Sequence, residues 1–151
     1  MVPSDSTPNA EATVTTQELA LLLGEAERRV TRRLAEVLAE QDCSVERWRT
    51  LALLDGGESH RMSELAEVAQ LPPASLTRLI DGMVGDNLVY RKADDSDRRL
   101  VLVHVAPRGR ALYRRLSERI AAETDAIFGE VDHDELAQLV ESLTDFVARL
   151  R

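Results

Sequence analysis

The sequence predicts a mainly α-helical protein that carries one small β-hairpin. Most of the chain repeats apolar residues at steps of three and four, the period of an amphipathic helix. The pattern changes at 88–92 and 100–105, where two short segments rich in Val and Leu flank a polar connection. The chain has 151 residues, of which 44% are hydrophobic, so it is long enough for one domain, or one domain with an appendage, and its core.

The first two helices have clear start signals. Thr15-x-x-Glu18 is a capping-box pattern, so a long first helix is expected to begin there, after a flexible tail over residues 1–14. Ser44 is expected to cap a second helix, which the pair Gly56-Gly57 then stops.

The next elements are short. Ser63 is expected to cap a third helix, and Pro73 suits the first turn of a fourth, for which Asn87 is a left-handed stop. The hairpin follows with its polar tip "ADDSDRR". Pro107 then starts a fifth helix that Gly129 ends.

A sixth helix closes the chain. Asp132-x-x-Glu135 is expected to open it, and its apolar stripe runs through Leu139, Leu143 and Phe146.

The order short helix, tight link, second helix and hairpin is that of a winged helix-turn-helix. In that fold the N-terminal half of the second helix enters the major groove of DNA, where short polar and basic side chains reach base edges. This half carries Ser75, Thr77 and Arg78. They are the candidate base-reading residues.

The hairpin tip would lie along the DNA backbone or in the minor groove, whose negative potential attracts arginine. Arg98 and Arg99 are the basic side chains of this tip, and Asp97 is expected to hold one of them in a fixed pose. A solvated turn is the alternative explanation for these charges.

Three stretches together resemble the MarR family, the multiple-antibiotic-resistance type of bacterial regulators. They are "MSELAEVAQLPPASLTRLIDGMVGDNLVYR", "DDSDRRLVLVHVAPRG" and the two closing helices. The resemblance implies that the helix from about 73 to 86 is the recognition helix and that Asp97 and Arg99 occupy the Asp-x-Arg positions of the wing. It also implies a homodimer, for which a pseudo-palindromic operator is expected, and a repressor that a phenolic or carboxylate ligand releases.

The implied organisation is mainly α with a small β-hairpin wing, a winged helix-turn-helix plus a helical dimerisation domain. Residues 43–106 would form the DNA-binding region, and 15–42 with 107–151 the dimerisation region.

Three residues depart from the family pattern. Ser96 stands where many relatives have a further wing arginine, so a weaker minor-groove contact is expected. Ala106 replaces the usual threonine cap before Pro107, which costs about 1 kcal/mol of capping. Asn87 replaces the usual glycine after the recognition helix, and the backbone permits this.

The resemblance places an effector pocket between the dimer helices and the DNA-binding region. The candidate lining residues are Trp48, Arg49, Arg28 and Arg29. Core packing is the alternative for Trp48, and a solvated face is the alternative for the arginines. Cys43 lies near the end of the first helix, so redox sensing is discounted.

The lack of certain sequence motifs argues against several classes of function. The chain holds no phosphate-binding glycine loop, no nucleophile motif and no metal-ligand spacing of its histidines, so no enzyme, cofactor or metal is expected. No signal peptide or membrane span is expected, and the default location is the cytosol.

The net charge of −8 argues against a general nucleic-acid binder. Residues 60–110 nevertheless hold eight Arg or Lys against seven Asp or Glu, a local net of +1. A winged helix that binds protein and not DNA is the alternative function.

Overall fold

The computed structural model describes residues 16–150, which fold into six helices and a small three-stranded sheet. In chain order the elements are α1 Thr16–Ala39, α2 Val45–Leu54, β1 His60–Arg61, α3 Met62–Ala69, α4 Pro73–Gly85, β2 Val89–Ala93, β3 Val101–Val105, α5 Pro107–Phe128 and α6 His133–Arg149. The predicted mainly helical class with a hairpin wing is therefore confirmed. The Thr15 cap lies outside the described residues.

Several helix ends are formed by the residues that the sequence indicates. The Ser44 hydroxyl accepts a hydrogen bond from the backbone N–H of Arg47 at 3.2 Å and caps α2. Pro73 is the first residue of α4, and Asn87 follows that helix in the left-handed conformation, with φ of 57°. Asp132 caps α6 by accepting from the N–H of Asp134 at 2.9 Å.

The prediction that Ser63 caps α3 is wrong. The helix begins at Met62 and its cap position is Arg61, two residues before Ser63, because His60 and Arg61 are already held in a strand. The Glu64 carboxylate reaches back and accepts from the Arg61 N–H at 2.8 Å. This backbone hydrogen bond is the main cause that lowers the pKa of Glu64.

The sheet has the order β1-β3-β2, and both pairings are antiparallel. In the hairpin, Tyr90 lies opposite His104, and their rings stack with centroids 5.0 Å apart. The strand β1 was not predicted, since two residues are too few for any alternation to show. It adds His60 beside Val103 and so joins the start of α3 to the hairpin.

One apolar core lies beneath α4 and the sheet. The buried residues come from α2, α3, α4 and both hairpin strands, with one residue from just before β2: Leu51, Leu54, Leu65, Ala69, Leu76, Ile80, Met83, Leu88, Val89, Val103 and Val105. Buried Thr50 satisfies its hydroxyl within α2, on the carbonyl of Glu46 at 2.8 Å. The core therefore fixes which side of α4 faces outward.

The described residues form two compact units, 16–32 and 33–150. In the second unit, ion pairs join the end of α1 to α5: Arg33 with Glu123 at 2.6 Å and Arg119 with Glu40 at 2.8 Å. None of the seventeen residues of α6 is buried. Among the described residues no helix is long and apolar enough to cross a membrane.

Gly109, in the first turn of α5, allows a close backbone approach. A Cβ at this position would overlap the backbone carbonyl oxygen of Leu88, which accepts a hydrogen bond from Ala106 N–H at 2.9 Å. We expect Gly109→Ala to lower the free energy of unfolding by about 1–3 kcal/mol, the usual cost of overpacking. Urea denaturation of the purified chain measures it.

Gly85, the last residue of α4, is the matched control. A Cβ there meets nothing within 4 Å. Gly85→Ala should raise stability by about 0.5–1 kcal/mol through helix propensity. Equal denaturation midpoints for the two variants would contradict the steric argument.

Candidate nucleic-acid interface

The outward side of α4 presents the three predicted base-reading residues. Leu76 and Ile80 are buried in the core, and the helical period turns Ser75, Thr77 and Arg78 outward, where all three are exposed. The Thr77 hydroxyl donates to the carbonyl of Pro73 at 3.0 Å, so its proton is used within the helix. The side chains of Ser75 and Arg78 have no polar partner among the described residues, and both are available to an outside ligand.

Two ion pairs hold α4 from different sides. Asp81 binds Arg91 of β2 at 2.7 Å, and Asp86, just past the end of α4, binds Arg47 of α2 at 2.9 Å. These pairs neutralise two carboxylates that would otherwise repel phosphate near α4. They also tie α4 to the wing and to α2.

The wing tip is a turn built around Asp94. Its Oδ1 accepts hydrogen bonds from the hydroxyl and the N–H of Ser96, and from the N–H of Asp97 at 2.9 Å. The carbonyl of Leu100 accepts from the N–H of Asp94 at 2.9 Å and closes the loop. These bonds, with the Ser96 hydroxyl first, hold the pKa of Asp94 below its usual range.

The Asp97 carboxylate holds the backbone of Arg99 and not a guanidinium, which corrects the expected pose. Its Oδ1 accepts from the Arg99 N–H at 3.0 Å. A short Asp side chain naturally reaches the amide two residues ahead, so the turn takes the oxygen that a guanidinium would need. Arg98 and Arg99 are both exposed, and no described residue forms an ion pair with either.

The acidic residues of the tip are therefore satisfied within the turn. Asp94 and Asp97 accept from backbone N–H groups, and Asp95 binds Lys92 at 2.9 Å, which raises the pKa of that lysine. The two arginine side chains are left without a partner in the described part of the chain. A tip with paired acids and unpaired arginines is suited to an anionic partner.

The candidate effector residues fall in both compact units. Arg28 and Arg29 lie exposed on the first unit, where both bind Glu25, at 3.4 and 2.6 Å. Trp48 and Arg49 are half-buried in the second unit. The Trp48 Nε1 atom is buried and has no hydrogen-bond acceptor among the described residues, which leaves one donor open to a ligand or partner.

Cys43 is buried, and its burial raises the pKa of the thiol. The reactive thiolate is therefore disfavoured. Within residues 16–150 no group of His, Cys, Asp and Glu is placed to hold a metal ion.

Sequence reasoning missed two contributions to the interface. The organising role of Asp94 has a sequence signal, because Asp followed two residues later by Ser is an Asx-turn pattern. No sequence signal pointed to Arg61, since its position depends on the pairing of β1. It is exposed, and its positive charge also lowers the pKa of Asp94.

Comparison with known proteins finds similarity to the family that the sequence motifs resemble. Residues 44–101 match the sequence model of the MarR family. A Bacillus subtilis protein described as the HTH-type transcriptional repressor YetL is 25% identical over 135 residues, covering 88% of this chain and 81% of that protein.

Solved structures share the fold. A MarR-family transcriptional regulator from Silicibacter pomeroyi has a TM-score of 0.77 at 27% identity, covering 89% of this chain and 92% of that one. NadR, in complex with 4-hydroxyphenylacetate, has a TM-score of 0.75 at 20% identity, covering 90% and 95%.

The geometry of the tip predicts that Asp94→Ala loosens the wing without unfolding the chain. The amides of Ser96 and Asp97 lose their acceptor, so their hydrogen exchange, measured by NMR, should accelerate while the melting temperature stays unchanged. Asp94→Asn keeps one acceptor oxygen and should retain most of the protection. Unaltered exchange at Ser96 in Asp94→Ala would contradict this account.

The order of the same turn should depend on pH. Because the pKa of Asp94 is lowered, the order of the tip is complete above the ordinary carboxyl range and is lost as pH falls through the lowered pKa. Chemical shifts of the Ser96 amide across an acid titration measure this. A shift change centred at or above the ordinary Asp pKa would show that the bonds do not favour the ionised form.

Proposed function

We propose that this chain, whose residues 44–101 match the sequence model of the MarR family, is a cytoplasmic, homodimeric transcriptional regulator that binds a pseudo-palindromic operator. The main observation behind this proposal is that Arg78, Arg98 and Arg99 are exposed and lack ion-pair partners among the described residues. They lie on α4 and the wing tip, the two elements with which a winged helix contacts DNA.

The proposed contacts differ in kind. Ser75, Thr77 and Arg78 of α4 would meet base edges in the major groove, where a guanidinium can bind guanine with two hydrogen bonds. Arg98 and Arg99 would bind the phosphate backbone or the narrow minor groove. Arg61 is an additional candidate for phosphate contact.

The proposed dimer rests on α6. Its apolar side chains are exposed in the single chain: Leu139, Val140, Leu143, Phe146 and Val147, with Leu150 at its end. A monomer rarely leaves such a continuous apolar face in water, and a second copy related by two-fold symmetry would cover it. We assign residues 15–42 and 107–151 to this dimer region and 43–106 to DNA binding. The symmetry would place half-sites about 10 base pairs apart.

A repressor that a small carboxylate releases is the proposed mode of regulation. Support comes from the relatives, one described as a repressor and one of the same fold solved with a phenolic carboxylate. In the second unit, the Trp48 Nε1–H is the candidate donor to such a ligand and Arg49 is the candidate charge partner. Arg28 and Arg29 of the first unit are separate candidates.

Protein binding without DNA binding is the second candidate function, and the net charge of −8 favours it. A random DNA duplex at low salt separates the two functions. Measurable binding that falls steeply with added salt would support DNA contact, because phosphate contacts release counterions.

We expect Arg99→Ala to weaken operator binding while stability stays within about 0.5 kcal/mol, since an exposed tip has little core to lose. The loss should be similar on all sequences, and the salt slope should fall by about one unit. Fluorescence anisotropy at two salt concentrations measures both. Asp97→Ala should weaken operator binding less than Arg99→Ala does, because the Asp97 carboxylate holds only the backbone of Arg99.

Arg78→Ala should behave differently from Arg99→Ala. We expect it to cost about 1–3 kcal/mol on the operator and to relax preference at one base position. Arg114→Ala, an exposed arginine on α5, is the control for the loss of one charge. If Arg99→Ala, Arg78→Ala and Arg114→Ala all bound the operator with the affinity of wild type, the proposed interface would be ruled out.

Phe146→Asp should shift the chain from dimer toward monomer, because a charge would be buried in the proposed interface. Sedimentation equilibrium would then give a mass near the 16.8 kDa of one chain. Ser142→Asp adds the same charge to an exposed polar position of α6 and should stay dimeric. A monomeric wild-type protein would rule out the symmetric operator.

A further inference from the structure

A basic cavity lies in the second unit, and its lining includes neither the outward residues of α4 nor the wing tip. It has a volume of about 500 Å³ and is bounded by α2, the end of α4 and the first turns of α5. Its polar lining is Gln41, Arg47, Asp86, Arg108 and Arg115. The proposed DNA contacts use none of these side chains.

The charge of the cavity is opposite to that of the whole chain. Three guanidinium groups face one carboxylate, and that carboxylate, Asp86, already binds Arg47. Arg108 and Arg115 form no ion pair with any described residue. The lining therefore carries a net charge of about +2 in a chain of net charge −8.

We propose that this cavity binds a small molecule carrying a phosphate group. Guanidinium groups bind phosphate oxygens with paired, charge-assisted hydrogen bonds, and the two unpaired arginines match the charge of a phosphate dianion. Leu88 and Leu112 add apolar contact for the rest of the ligand. The volume lies within the range of about 300–1,000 Å³ that is typical of small-molecule sites.

The site is joined to α4 through Arg47. The guanidinium of Arg47 binds Asp86 at 2.9 Å and lies 3.4 Å from the position of a Cβ on Gly82, so it rests against the last turn of α4. A phosphate that binds Arg47 competes with Asp86 for it. Occupation of the cavity therefore loosens one of the two ion pairs that hold α4, and, on the proposed function, weakens operator binding.

Calorimetric titration of the full chain with pyrophosphate, without DNA and at constant ionic strength, tests the site itself. Wild type should show saturable binding, and Arg108→Ala and Arg115→Ala should each weaken it by about tenfold or more. Arg114→Ala is the control, because Arg114 is adjacent in sequence but lines a different surface, beside Tyr90. It should bind pyrophosphate like wild type.

Asp86→Asn gives a prediction of opposite sign. Removing the competing carboxylate frees Arg47, so pyrophosphate should bind more tightly than to wild type. An equal loss of affinity in Arg114→Ala and Arg115→Ala would show diffuse attraction without a site, and the proposal would be overturned. Absence of saturable binding in the wild type would overturn it as well.

Operator binding tests the connection to α4. Pyrophosphate should weaken operator binding by wild type and have a smaller effect on Arg115→Ala at equal ionic strength. If pyrophosphate binds but operator affinity does not change, the connection is wrong and the anion site stands. A chain that binds pyrophosphate and no DNA would refute the proposed function alone.

Discussion

The burial of one face of α4 is the constraint from which the rest of the candidate interface follows. Leu76, Ile80 and Met83 are fully enclosed by α2, α3 and the hairpin, so the helix cannot rotate without exposing them. That fixed rotation sends the side chains at 75, 77 and 78 outward. The orientation of these residues is thus set by apolar packing. Of the three, only Thr77 also bonds within the helix, through its hydroxyl to the carbonyl of Pro73.

The interface also shows how an acidic chain can present a basic surface. The region does contain carboxylates, but they accept hydrogen bonds from donors close to them. Asp94 and Asp97 accept from the backbone of their own turn, and Asp81 accepts from Arg91. A carboxylate that accepts hydrogen bonds from nearby N–H groups keeps its charge, but its oxygens are already occupied. The guanidinium groups of Arg98 and Arg99 beside it have no such partner among the described residues. Local pairing, more than net charge, decides what such a surface attracts.

Sequence patterns predicted the hairpin because two segments rich in Val and Leu flank a polar connection. They predicted the longer helices because the apolar repeat of those helices runs over ten or more residues or because the helices carry strong caps. Ser44, Pro73 and Asn87 could be placed for this reason. The start of α3 could not, since it depends on the pairing of His60 with Val103, 43 positions along the chain. The role of Asp97 was predicted in part: sequence located the carboxylate, but a backbone N–H and a guanidinium compete for the same oxygen, and only geometry decides between them.

The connection between the wing and α5 has a mechanical consequence. Only Ala106 separates β3 from α5, and its N–H binds the carbonyl of Leu88, the residue just before β2. Gly109 brings the first turn of α5 against the same carbonyl. No flexible linker lies between these elements, so a displacement of α5 must move the base of the wing or break this contact. In the proposed dimer α5 would belong to the subunit interface, and a change there would reach the wing through Ala106, the single residue between β3 and α5. The proposed anion cavity is lined by the first turns of α5 and by Asp86, just past the end of α4. Both connections to the elements that are proposed to contact DNA therefore involve the first turns of α5.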